Sequence, residues 1–95
     1  MSDNSEKIMT LNLNGKQGVN ILKSRYDMMK DSIITILNDK GQVSLAELGT
    51  LVEKDLANTF DGKIGWYLMA VKLDLEARGI LVRVPNKVPQ SLTLK

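Results

Sequence analysis

Carboxylates, lysines and two tyrosines carry nearly all the proton chemistry open to this chain, because its 95 residues include no His and no Cys. That removes the imidazole base, the thiolate nucleophile, the disulfide and the zinc-finger type of metal site. The carboxylates show no metal-ligand spacing. Asn14-Gly15-Lys16 lacks both the spacing and the following helix that a phosphate-binding loop needs. The sequence is read as having no catalytic residue, no metal and no cofactor, and so as not an enzyme. What remains is surface chemistry, beginning with charge. Residues 63–95 carry Lys63, Lys72, Arg78, Arg83, Lys87 and Lys95 against only Asp74 and Glu76, and no acid follows Glu76. Residues 25–62 run the other way, with seven acids against four cations. A polyanion such as double-stranded DNA would therefore dock on the last third.

These residues must be positioned by a small set of elements. Residues 1–6 read as a disordered start, and residues 7–95 as one domain. Met9, Leu11 and Leu13 alternate, Asn14-Gly15 has the makings of a type I′ turn, and Val19 and Ile21 alternate on the return, which predicts a β-hairpin over 7–22; Gly18 marks either a bulge or a longer turn, which leaves the register open. Three helices are expected within 25–78. The first is headed by Ser24 and Asp27 and carries Tyr26, Met29, Ile33, Ile36 and Leu37 at helical spacing. The second follows the capping box Ser44-Leu45-Ala46-Glu47, with Leu45, Leu48, Val52 and Leu56 on one face. Gly49 within it suggests close approach of a neighbouring helix. The third, capped by Asp61 or Gly62, buries Ile64, Leu68, Val71 and Leu75 and stops at Gly79. Ile80–Val84 and Ser91–Leu94 read as two strands joined by a Pro-bounded turn, a wing over 80–95.

Three helices followed by a basic two-stranded ribbon is the order of a winged helix-turn-helix, here an α+β fold with an added N-terminal β-hairpin. Leu75-Glu76-Ala77-Arg78-Gly79-Ile80-Leu81 followed by Arg83-Val84-Pro85 resembles the junction between recognition helix and wing in MarR-like regulators. Gly65-Trp66-Tyr67 with Leu73-Asp74-Leu75-Glu76-Ala77-Arg78-Gly79 is similar to a motif of small uncharacterised bacterial winged-helix proteins that also begin with a hairpin. The second likeness supports the fold and implies no activity. The likeness to regulators implies that helix three lies in the major groove, and that a basic wing tip, here Arg83 and Lys87, touches the backbone or minor groove.

Helix three is poorly equipped for base readout. At about 100° per residue, Met69, Leu73, Trp66 and Ala77 lie roughly opposite Val71. That face offers only the indole N–H where base edges call for donors and acceptors. Lys72 and Lys63 fall on its two flanks, suited to phosphates. The function expected is a small DNA-binding protein, in the manner of a transcriptional regulator, that contacts phosphates through Lys63, Lys72, Arg83 and Lys87 and works as a homodimer. The alternative is a module that binds an unidentified protein through Trp66, Met69 and Leu73, since an apolar stripe of that size calls for a cover. The hairpin or a second copy could also supply it. The polar first residues lack the pattern of a signal peptide, and no apolar run approaches the roughly 20 residues that span a bilayer, so a cytoplasmic location without membrane association is expected.

Overall fold

The structure, a computed structural model, describes residues 6–12, 14–86 and 90–95. The expected disordered start (apart from Glu6), Leu13 and Lys87 therefore lie outside the described residues. In chain order the elements are β1 (Lys7–Leu11), β2 (Gln17–Leu22), α1 (Lys23–Lys40), β3 (Gln42–Ser44), α2 (Leu45–Leu56), α3 (Ile64–Ala77), β4 (Leu81–Arg83) and β5 (Ser91–Leu94). The fold is α+β: three mutually packed helices, an antiparallel β1–β2 hairpin, and an antiparallel sheet in the order β3-β5-β4.

One core runs through all of it. Met29, Ile33 and Leu37 of α1, Leu48 and Val52 of α2, and Val71 and Leu75 of α3 are sealed from solvent, with Leu81 and Leu92 closing the sheet side. The helical spacing read from the sequence is the spacing that meets here. Ser44 caps α2, its hydroxyl accepting from the Glu47 N–H at 3.1 Å. Gly79, at φ 76°, ends α3 by turning left-handed, so that the Ile80 N–H reaches the Leu75 carbonyl at 2.9 Å.

The other two helix starts differ from expectation. α1 grows directly out of β2 at Lys23, and neither Ser24 nor any other side chain caps it. The hairpin does that work, because the Glu6 carbonyl accepts the Lys23 N–H at 2.8 Å. Asp61 does not cap α3 either, since its carboxylate takes the Arg25 guanidinium at 3.0 Å.

The hairpin takes the longer of the turns left open by the sequence, and its bulge lies in β1. Gly15 has φ 77°, but Asn14 is not among the residues with positive φ, so a type I′ turn is ruled out. The loop is one residue longer, closed by Gly15 N–H to Asn12 O (2.8 Å) and Asn12 N–H to Lys16 O (2.7 Å). A bulge between Met9 and Leu11 adds a further irregularity. Ile8 pairs opposite Ile21, so the even-numbered residues of β1 face inward. Thr10 is buried at 1% exposure while Met9 and Val19 are exposed, so Met9 of the alternating apolar set does not face the core.

Candidate functional site

Asp74 fixes the hairpin against α3. A carboxylate fully removed from water persists only with its oxygens occupied. Asp74 accepts from the Leu11 backbone N–H at 2.9 Å, from Arg78 Nε at 2.8 and 2.9 Å on its two oxygens, and from the Tyr26 hydroxyl. Burial, and then the bond to Asp74, push the Tyr26 hydroxyl well above its ordinary pKa, while the bond to Asp74 raises Arg78. One side chain thus joins β1, α1 and α3.

The other flank of α3 is closed by charge. Glu76 Oε2 lies 3.1 Å from Lys72 Nζ, and Glu76 Oε1 accepts from Arg83 Nε of β4 at 2.7 Å. The side chain of Lys72 is 1% exposed and that of Glu76 5%. The hydrogen bond to Glu76 raises the Arg83 pKa. Lys72 therefore differs from its expected place: it is a buried partner of a carboxylate, with no reach to an external phosphate. Its wheel position was right, but the flank it occupies is covered. Arg83 stays half-exposed with one guanidinium nitrogen committed to Glu76. Lys63 is exposed beside the start of α3. Of the four cations expected to meet phosphates, Lys87 lies outside the described residues, Lys72 is buried, and Arg83 and Lys63 are exposed with Arg83 paired to Glu76.

Between these clamps the first half of α3 stays open. Trp66 is 50% exposed and Met69 42%. Trp66 stands edge-on to Tyr67 (centroids 4.9 Å apart, planes at 79°), and Tyr67 is edge-on to Phe60 at 5.1 Å. Arg25 holds Tyr67 from above, its Nη1 donating to the Tyr67 hydroxyl at 2.7 Å. The exposed indole is thus braced by its neighbour.

Trp66, Met69 and Leu73 line one wall of an open groove of about 210 Å³, and Thr10, Gly18 and Val19 of the hairpin line the other. The Thr10 hydroxyl donates to the Val19 carbonyl at 2.9 Å and accepts the Val19 N–H at 3.0 Å, which spends its polarity inside the hairpin. Gly18 makes this fit, since a Cβ there would stand 2.9 Å from Thr10 Oγ1. The three interaction residues expected from the sequence are therefore brought together. The sequence allowed the hairpin to lie against this face but did not say which of its residues would; the structure places Thr10, Gly18 and Val19 there. The hairpin lies beside the Trp66 face and does not cover it.

No helix among the described residues is long and apolar enough to cross a membrane. Residues 7–92 match a family described as of unknown function, DUF6958. No curated protein and no solved structure matches the chain.

Proposed function

The chain belongs to the family of unknown function DUF6958, and for this member we propose a winged-helix protein-interaction module whose contact is the groove between the hairpin and α3. The winged-helix reading is supported by the order helix–strand–helix–helix–strand–strand from α1 onward and by the sheet order β3-β5-β4, in which the antiparallel pair β4 and β5 would be the strands of the wing. The functional reading is carried by one observation: Trp66 and Met69 stand side by side, half-exposed, at the lip of an apolar groove. Large aromatic and Met side chains in such settings are enriched where proteins bind one another.

The duplex reading has less support. A recognition helix needs its outer face free for the major groove. Here the hairpin is fastened beside α3 through Asp74, Lys72 is buried, and Arg83 is engaged by Glu76. A photo-crosslinking amino acid at Met69, expressed in the source cells, tests the interaction reading. The expected result is a discrete crosslinked partner that Trp66→Ala abolishes in protein whose circular dichroism is unchanged. Absence of any crosslink, together with binding of a mixed-sequence duplex that weakens steeply between low and physiological salt, would return the function to DNA.

A further inference from the structure

We propose that the groove takes a short linear segment of a partner protein, two apolar side chains flanked by acidic residues. This rests on the interaction reading above and adds the chemistry of the ligand. The helix wall from Trp66 to Leu73 covers about two turns, roughly 10 Å, enough for two side chains of an extended or helical peptide. None of the lining residues is charged. The cations nearest the lining in sequence lie outside it. Lys63 is exposed at the start of α3, which has no side-chain cap and no acid in its first turn, so the positive end of the helix dipole adds to it. Lys16 is exposed at the hairpin turn, its carbonyl bonded to the N–H of the groove residue Asn12. The nearest acid in sequence to Lys63, Asp61, is held by Arg25. A basic frame around a neutral slot is complementary to an acidic frame around an apolar pair.

The same charges argue against a second copy of this chain. Two-fold pairing across the groove would set surfaces framed by Lys16 and Lys63 against each other, like charge to like. The apolar patch of half-exposed Trp66 and Met69 with Val19 is small beside the roughly 20–30 residues a side of a stable interface.

The experiment is selection of linear 12-residue peptides displayed on phage against the intact protein, followed by anisotropy titration of one fluorescein-labelled winner. Enrichment of apolar pairs flanked by Asp or Glu is expected. Affinity should fall about thirtyfold in Trp66→Ala and about fivefold in the double variant Lys16→Glu/Lys63→Glu. Changing the peptide's acids to Lys should restore binding to the double variant. Winners without acids, or with affinities indifferent to the charge reversal, would overturn the acidic ligand while leaving the groove as an interaction site. No enrichment, or winners indifferent to Trp66→Ala, would overturn both. Sedimentation showing a dimer that Trp66→Ala dissociates would overturn the peptide in favour of a second copy.

Discussion

The Leu11 backbone N–H donates to the Asp74 carboxylate at 2.9 Å across 63 positions of sequence. The hairpin is thereby a built part of the domain, its edge satisfied by a side chain of α3. Asp74→Ala should lower unfolding stability by about 3 kcal/mol, because it strands the Tyr26 hydroxyl and Leu11 N–H together. Urea denaturation measures the loss. Amide exchange should show Leu11 losing protection beyond the global change, and an unaltered Leu11 amide would contradict the fastening.

Glu76 is held between two cations, one of them buried. Removing the carboxylate alone leaves the Lys72 ammonium without its partner, so Glu76→Ala should be destabilising by about 3 kcal/mol. The double variant Lys72→Met/Glu76→Leu should return to within about 1 kcal/mol of the parent, since the pair is replaced by apolar volume. Chemical unfolding of the three proteins checks this, and a Glu76→Ala variant as stable as the parent would refute it.

Gly49 was expected to admit a close helix neighbour, and the structure leaves room instead. A Cβ there would meet Leu68 Cδ2 at 3.8 Å, an ordinary contact. Gly49→Ala should therefore stabilise the protein by about 0.5–1 kcal/mol through helix propensity and a less free unfolded chain. A lowered melting temperature would mean that α2 and α3 approach more closely than this distance allows.

The Tyr26 hydroxyl loses its proton at higher pH in the fold than in the unfolded chain, whose value is 10.0. Folding thus favours the protonated form, and its contribution is complete below pH 10 and drains away as pH rises above it. Stability should fall progressively on the alkaline side, and Tyr26→Phe should flatten that slope while lowering stability at neutral pH by about 1 kcal/mol. Unfolding curves from pH 8 to about 11 read both effects; an equally steep alkaline loss in Tyr26→Phe would assign it to another group.

Much of this fold is legible from local chemistry. Ser44 before Glu47, Gly79 after Ala77, and the Met29, Ile33, Leu37 spacing each act within a few residues, and each stands where its pattern predicts. What escaped is non-local. Val43 forms a strand only because β5 lies beside it, and three residues show no period of their own. Thr10 turns inward because register and a bulge decide facing, and neither is written in alternation alone. Lys72 sits at the expected angle, but the angle does not say what covers that flank; the i,i+4 pairing with Glu76 was the available cue. The candidate site was half legible. Trp66, Met69 and Leu73 follow from one helix, whereas Thr10, Gly18 and Val19 require knowing where the hairpin docks.

The order β3-β5-β4 places the last-made strand at the centre of its sheet. During synthesis neither β3 nor β4 has its partner in this sheet until residues 91–94 have left the ribosome, so none of its pairings forms before β5 is made. A chain cut before Ser91 loses every pairing of that sheet at once, and leaves the apolar surfaces of Val43 and Leu81 to whatever chaperone or neighbouring chain reaches them first.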